Sequence, residues 1–183
     1  MLDQVRDADE LGTKGAASRI PAGAAKVLSA VEEAAEGTKL WCAAAGMMAW
    51  RGGWRGRRAA AAGIAAVVAA QLMSNGVGKQ VTSRRRPPKE WIPHDEVEDR
   101  PDSSSFPSGH TAAAVAFTAA VAPTWPLAGA LCAVPAAAVA VERVQSGAHY
   151  PSDVAAGAAV GLAAAWLTHR APHLLLRHRL SNR

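Results

Sequence analysis

The sequence predicts an all-α protein, a bundle of helices embedded in a membrane. Its apolar blocks, 11 to 19 residues long, alternate with polar stretches and lack the every-second-residue pattern of a strand. Tryptophan and arginine flank several blocks, as is typical of membrane helices. Alanine and glycine dominate the blocks, which lets helices pack closely in a bilayer. A soluble alanine-rich bundle is the alternative, because the mean hydropathy is only +0.02.

About five transmembrane helices are expected, with an amphipathic helix near the N-terminus. Residues 1–37 form a polar arm, in which residues 22–36 carry a modest apolar stripe opposite three glutamates. Residues 38–170 form the membrane-embedded domain, and residues 171–183 form a basic tail. The five apolar blocks cover residues 40–50, 59–77, 111–122, 127–141 and 154–167. The first block is shorter than the about 20 residues that a crossing needs, unless the preceding helix continues into it.

The charge distribution favours a membrane surface and phosphate groups as partners. The formal net charge is +5, the basic residues lie beside the apolar blocks, and no nucleic-acid-binding motif is present. Nucleic acid is therefore not an expected partner. The two cysteines, Cys42 and Cys132, lie within apolar blocks, so neither a disulfide framework nor a metal site is expected. The sequence does not indicate an oligomeric state.

Flanking residues predict how the helices sit in the membrane. Residues 51–58 form a predicted turn with four arginines, and short arginine-rich connections are normally retained in the cytoplasm. Arg84 and Arg85 are expected to be solvated or to face lipid headgroups. Four tryptophans are expected to anchor helices at the membrane interface: Trp41, Trp50, Trp54 and Trp166.

Three polar stretches interrupt the apolar blocks. Residues 79–87 (KQVTSRRRP) follow the second block, residues 107–110 (PSGH) precede the third, and residues 143–153 (RVQSGAHYPSD) lie between the fourth and fifth. If the blocks cross the membrane alternately, all three stretches lie on the same side, opposite residues 51–58. We therefore expect their side chains to form one site that faces away from the cytoplasm.

The residue types in these stretches suit a phosphate group. Lys79, Arg86 and Arg143 offer the point charge and planar guanidinium groups that bind phosphate oxygens. Ser108 and Gly109 stand at the start of a predicted helix, where free backbone N–H groups attract anions. A simple helix cap at Ser108 is the alternative interpretation.

The two histidines and the aspartate add the means for covalent chemistry. His149 and Asp153 are four residues apart, so the carboxylate is expected to orient the imidazole as in a nucleophile–base triad. His110 is then available to protonate a leaving oxygen. Because arginines can balance the charge of the transition state, this phosphoryl-transfer site requires neither a metal nor a cofactor.

The three motifs, Lys-x6-Arg-Pro, Pro-Ser-Gly-His and Arg-x5-His-x3-Asp, resemble those of the type-2 phosphatidic acid phosphatase superfamily. The group includes bacterial lipid phosphatases and resembles vanadium-dependent haloperoxidases in its site. The resemblance implies that His149 forms a phosphohistidine with Asp153 as its partner, and that His110 protonates the leaving group. It also implies that the phosphate is held by Lys79, Arg86, Ser108, Gly109 and Arg143. One departure is Glu142, since the third motif of the family usually begins Ser-Arg.

The resemblance implies an integral membrane lipid phosphatase of the bacterial cytoplasmic membrane, which acts without a metal on a lipid phosphate. The expected substrate is a phosphate monoester or diphosphate of a polyprenyl lipid, such as a polyprenyl-phosphoryl phosphoribose in cell-wall synthesis. Phosphatidic acid and phosphatidylglycerophosphate are the alternative substrates. A vanadate-dependent haloperoxidase and a non-catalytic membrane scaffold are less favoured.

Overall fold

The computed structural model of the chain describes residues 2–78, 82–92 and 103–181, which form helices and connecting segments with no strand among them. The all-α prediction is confirmed for this part of the chain. Its α-helices are α1 (Leu2–Arg19), α2 (Ala22–Ala35), α3 (Lys39–Arg51), α4 (Gly53–Gln71), α5 (Gly109–Val121), α6 (Pro126–Gln145) and α7 (Pro151–Ser181). Short 3₁₀-helices cover Glu36–Thr38 and Lys89–Trp91, and a seven-residue π-helix covers Leu72–Gly78.

The predicted turn at residues 51–58 is mostly helical. Gly52 ends α3, and α4 begins at Gly53, whose φ of 55° supplies the change of direction. The arginines that follow continue the helix because arginine is a good helix former. Arg55 Nε donates a hydrogen bond of 2.7 Å to the carbonyl of Thr124, in the connection between α5 and α6. The two connections therefore lie at the same end of the bundle, as alternating helices require.

Helix α5 lies in the centre of the bundle and packs against α4, α6 and α7. Nine of its thirteen residues are buried. Where it meets α4 and α7 the core consists of alanines: Ala66, Ala70, Ala112, Ala116, Ala120, Ala164 and Ala165. Such small side chains allow close contact between helices, as the sequence predicted.

Two glycines set the crossing of α7 over α5. A Cβ atom on Gly157 would collide with the carbonyl oxygen of Ser108, and one on Gly161 would lie 2.6 Å from the carbonyl oxygen of Ala112. The backbones therefore touch directly at these positions. This crossing brings the start of α7, with Asp153, against the start of α5.

The anchor prediction is wrong for Trp41. This side chain is 1% exposed, and its ring centroid lies 5.4 Å from that of Phe117 on α5. The other three tryptophans of that set are exposed, at 56–73%. Position 41 faces the central helix, and the sequence pattern of a short apolar block does not distinguish this face from the outer one.

Two helices in the described part are long and apolar enough to cross a membrane, Gly53–Gly76 and Pro126–Gln145. Gly109–Val121 is apolar but shorter; its 13 residues span about 20 Å, against about 30 Å for the hydrocarbon core. The five predicted crossings are thus not matched by five helices of this length and composition. Large apolar side chains point outward on α6, where Leu127, Leu131 and Val134 are 66–70% exposed.

Candidate active site

The three polar stretches of the sequence meet at one end of the bundle. The backbone N–H of Ser105 donates to the carbonyl of Arg84 at 3.0 Å, and that of Ser108 donates to the carbonyl of Asp153 at 3.1 Å. Arg86 Nη1 donates to the carbonyl of Ala148 at 2.6 Å. Residues from all three stretches are thus in direct contact. Lys79, the remaining cation of the predicted site, lies outside the described residues.

His149 lies in the connection between α6 and α7, which turns at Gly147 with a φ of 64°. Its backbone N–H donates to the carbonyl of Arg143 at 2.8 Å, and its side chain is 5% exposed. The imidazole Nδ1 lies 2.5 Å from the carbonyl oxygen of Ser105. A carbonyl only accepts hydrogen bonds, so Nδ1 carries the proton. The lone pair of the neutral ring is therefore on Nε2.

Burial and nearby positive charge keep the His149 imidazole neutral. Burial is the largest cause, and the charges of Arg86, Arg143 and His110 add to it, lowering the pKa of His149 from 6.5 to about 3. The hydrogen bond to Ser105 acts in the opposite direction but is outweighed. At neutral pH the ring is thus an unprotonated nitrogen base beside cations, which is the state that a nucleophile requires.

Asp153 does not make the direct hydrogen bond to His149 that the sequence suggested. Its Oδ2 is 3.9 Å from Nδ1 of His149, and it accepts instead from the backbone N–H of Tyr150 at 2.9 Å. Its Oδ1 accepts from Arg84 Nη1 at 2.6 Å. The tautomer of His149 is therefore fixed by the Ser105 carbonyl, while Asp153 supplies a negative charge just beyond it.

Arg86 and Arg143, the two arginines of the predicted phosphate site, belong to different segments of the chain, and hydrogen bonds hold each of them in place. Arg86 donates to the Ala148 carbonyl, and its Nη2 lies 3.5 Å from the Ser103 hydroxyl. Arg143, near the end of α6, donates from Nε to the buried carboxylate of Glu142. The unusual Glu142 therefore orients the guanidinium of Arg143 by an ion pair.

Ser108 is the N-cap of α5. Its hydroxyl oxygen accepts from the backbone N–H of Thr111 at 3.4 Å and lies 3.0 Å from the Thr111 hydroxyl. The side chain is buried, and its own backbone N–H is bonded to Asp153. Gly109 follows as the first residue of α5, close to the side-chain oxygens of Gln71 and Asn75. The capping role of Ser108 is thus present in the structure, at the point where the start of α5 meets the start of α7.

His110, on the first turn of α5, faces a carboxylate from the N-terminal arm. Its Nε2 lies 3.5 Å from Oε1 of Glu32 on α2, and the same oxygen accepts from Arg143 Nη1 at 2.9 Å. Burial raises the pKa of Glu32, and the charge of Arg143 offsets this only in part. Sequence reasoning placed Glu32 on the polar face of an amphipathic helix but gave no sign that this face covers the site.

Arg84 also differs from expectation. It bridges Asp153 and Asp9 of α1, with both ion pairs at 2.6 Å, and its guanidinium stacks on the Tyr150 ring at 4.2 Å. Asp9 also accepts from the backbone N–H and the hydroxyl of Ser152. Burial raises the pKa of Asp9, but these hydrogen bonds outweigh it and lower the pKa below 3.8. Three adjacent arginines look alike in sequence, and only the fold shows which one joins this network.

A family model described as the PAP2 superfamily matches residues 60–177, which is more than half of the chain and contains every predicted site residue. Two solved structures share the fold. One is the first transmembrane PAP2 type phosphatidylglycerolphosphate phosphatase from Bacillus subtilis, with TM-score 0.70 and 21% identity over 93% of this chain and 87% of that one. The other is Aquifex aeolicus LpxE, with TM-score 0.69 and 19% identity over 86% of this chain and 92% of that one. No curated protein sequence matches the chain significantly.

Proposed function

The chain belongs to the PAP2 superfamily, and from this we propose that it is a membrane lipid phosphatase that works through a phosphohistidine. The observation that carries the proposal is the state of His149. This imidazole is buried and neutral, its Nδ1 is bonded to the Ser105 carbonyl, and the charges of Arg86 and Arg143 act on it. A neutral nitrogen nucleophile beside two guanidinium groups suits attack on an anionic phosphate ester.

In the proposed first step, Nε2 of His149 attacks the phosphorus atom and forms a P–N bond as the P–O bond to the lipid breaks. His110 gives a proton to the leaving oxygen, so that a lipid alcohol departs from a monophosphate and a lipid phosphate departs from a diphosphate. Arg86, Arg143 and Lys79 bind the phosphate oxygens, together with the start of α5 at Ser108 and Gly109.

In the second step, water attacks the phosphohistidine. The now neutral His110 accepts a proton from the water, and the P–N bond breaks to release inorganic phosphate and neutral His149. Asp153 stabilises the positive charge that His149 carries while it is phosphorylated, because its carboxylate lies 3.9 Å from the ring.

The chemistry proposed here requires no metal ion. The groups that would face phosphate are guanidinium and imidazole groups, which supply positive charge directly. In the part of the chain that the structure describes, no three His, Cys, Asp or Glu side chains cluster closely enough to hold a metal ion.

The proposed substrate is a phosphate or diphosphate of a polyprenyl lipid. An open apolar groove of about 400 Å³ lies between α2, α3 and α6, lined by Val27, Val31, Leu40 and Pro135 among others. Such a surface offers contact for a hydrocarbon chain. A glycerolipid phosphate is the second candidate, because the Bacillus subtilis protein with the same fold is a phosphatidylglycerolphosphate phosphatase.

The test is phosphate release by the purified protein from a panel of polyprenyl phosphates, polyprenyl diphosphates and glycerolipid phosphates. We expect one polyprenyl class to be hydrolysed fastest. His149→Ala should lower the rate by about a thousandfold or more, since the covalent route is lost. His169→Ala is the matched control, because His169 contacts the carbonyl of Ala120 at the C-terminal end of α5, whereas the site lies at its N-terminal end. A His149→Ala variant that retains a tenth of the parent rate contradicts the mechanism.

We propose further that the site faces away from the cytoplasm, because the arginine-rich end of the bundle lies opposite the three motifs. A cysteine at position 90 tests this, since Glu90 is exposed at the motif end. In a Cys42→Ala, Cys132→Ala background, Glu90→Cys should react with a membrane-impermeant thiol reagent in intact bacterial cells. Reaction only after lysis would place the motifs in the cytoplasm.

A further inference from the structure

One carboxylate oxygen of the N-terminal arm contacts two residues of the proposed phosphatase site. Oε1 of Glu32 is 2.9 Å from Nη1 of Arg143 and 3.5 Å from Nε2 of His110, and the Glu32 side chain is only 16% exposed. Helix α2 lies outside residues 60–177, the part that the family model matches. The contact is therefore supplied by a part of the chain to which the family motifs assign no role.

Helix α2, which carries Glu32, packs against α6 and α3, and the neighbouring helix α1 is held against the site by contacts of its own. Asp9 of α1 is 3% exposed and binds Arg84 and Ser152. Gly12 packs against Pro151, where an added Cβ would lie 2.7 Å from the proline ring. Glu32 therefore lies on a helix that is packed onto the bundle beside the site.

We propose that Glu32 is a positioning residue that holds His110 in its protonated form and aims it at the leaving oxygen of the substrate. The inference rests on the proposed function, in which His110 is the proton donor. It assigns the arm a part in catalysis: α2 supplies the negative charge that a general acid at neutral pH needs.

The charges around His110 explain why such a partner is needed. Positive charge comes from Arg143 on α6, which shares the Glu32 oxygen with His110, and from His149 while it carries phosphate. Each of them disfavours a protonated His110. Negative groups come from α2 with Glu32 and from α6 with Glu142, which is bonded to Arg143. Of these two carboxylates, Glu32 is the one in contact with the imidazole.

The substitution Glu32→Gln keeps the size of the side chain and removes its charge. The pKa of His110 should then fall, so that the decline of kcat at high pH begins about one pH unit lower than in the parent. The loss of kcat should depend on the leaving group of the substrate. An alkoxide must be protonated as it leaves, whereas a nitrophenolate is a stable anion that leaves almost without a proton. At pH 7.5 we expect about a tenfold lower kcat with dodecyl phosphate and less than about a threefold change with p-nitrophenyl phosphate.

Glu33→Gln is the matched control, since Glu33 is the next residue on α2 and is exposed. It should leave both rates and the pH profile unchanged. Glu32→Asp keeps the charge on a shorter side chain and should restore part of the dodecyl phosphate rate. The thermal unfolding midpoint of each variant in detergent shows whether it is folded. If Glu32→Gln does not fold, Glu32→Asp alone should show the same selective loss with dodecyl phosphate, and an equal loss with both substrates overturns the proposal.

Two other results would also overturn it. Faster turnover by Glu32→Gln would mean that the carboxylate blocks the phosphate site. An equal loss on both substrates with an unchanged pH profile would mean that Glu32 only supports packing. Failure of the proposed function itself is a separate result, in which the parent releases no phosphate or His149→Ala is as active as the parent.

Discussion

The helical core and the N-terminal arm contribute to the same site but are held by different kinds of contact. In the core, made of α4, α5 and α7, alanines and glycines bring the helix backbones into contact. In the arm, made of α1 and α2, the contacts that reach the site are ion pairs and hydrogen bonds of Asp9 and Glu32. The only apolar cluster of α1 among the described residues joins Ala17 to Ile92 and Trp91. We therefore expect the core to be most sensitive to changes in side-chain volume, and the arm to be most sensitive to changes in side-chain charge.

The largest expected effect of this difference is on glycine substitutions. Gly157→Ala places a Cβ against the Ser108 carbonyl, so it should destabilise the protein by about 3 kcal/mol. Gly15→Ala on α1 meets nothing within 4 Å and should stabilise its helix by up to about 1 kcal/mol. Unfolding of both variants in mixed micelles measures the contrast. Equal stabilities would show that the α5–α7 crossing can relax.

Acidification should also separate the two regions. The pKa of His149 is about 3 in the folded protein and 6.5 when exposed, so the folded state binds fewer protons in this range. Stability should fall as the pH drops below 6.5, by about 1.4 kcal/mol per unit. The pKa of Asp9 is lowered from 3.8, so its contribution is lost only below about pH 4.

The measurement for this prediction is the pH dependence of the free energy of unfolding between pH 7 and pH 4. His149→Asn keeps a donor for the Ser105 carbonyl and should remove most of the slope. Parallel curves for the parent and His149→Asn would contradict a buried neutral imidazole.

A smaller effect is expected when the arm loses a charge. Arg84 bridges the carboxylates of Asp9 and Asp153. Asp9→Asn removes the first of these charges, so the Arg84 and Asp153 side chains should both shift their positions beside His149. We expect about a tenfold fall in kcat with little change in KM, equivalent to about 1.4 kcal/mol. Asp7→Asn is the control, because Asp7 is exposed on the same helix. Equal activity of the two variants would show that the arm is not coupled to Asp153.

The smallest expected effect is that of a chelator. EDTA should leave phosphate release unchanged in the parent and in Asp9→Asn, because the proposed chemistry relies on guanidinium and imidazole groups in both regions. Loss of activity that a divalent ion restores would contradict the metal-free mechanism.

Much of the core was predictable from the sequence. The family resemblance drawn from three motifs is confirmed by the match over residues 60–177, and the predicted apolar blocks correspond to helices. Apolar periodicity and motif spacing are local signals, and alternating helices then require the motifs to meet at one end. The exceptions were Trp41, which is buried, and the helical start of α4 in the predicted turn.

The arm was predictable only as helices. Asp9 pairs with Arg84 across 75 residues and Glu32 pairs with Arg143 across more than a hundred, and nothing in the local sequence selects these partners. The same limit applies within the motifs, where the Ser105 carbonyl rather than the Asp153 carboxylate accepts the hydrogen bond from Nδ1 of His149.

Local sequence specifies the helices, the small residues that let them touch, and the set of cations and histidines at one end of the bundle. It does so because helix formation and membrane partition depend on residues that are near one another in the chain. Which carboxylate or carbonyl faces each cation and imidazole is set by the packing of the helices. Those pairings depend on how helices cross, and the crossing is set by contacts such as Gly157 against Ser108 and Gly12 against Pro151.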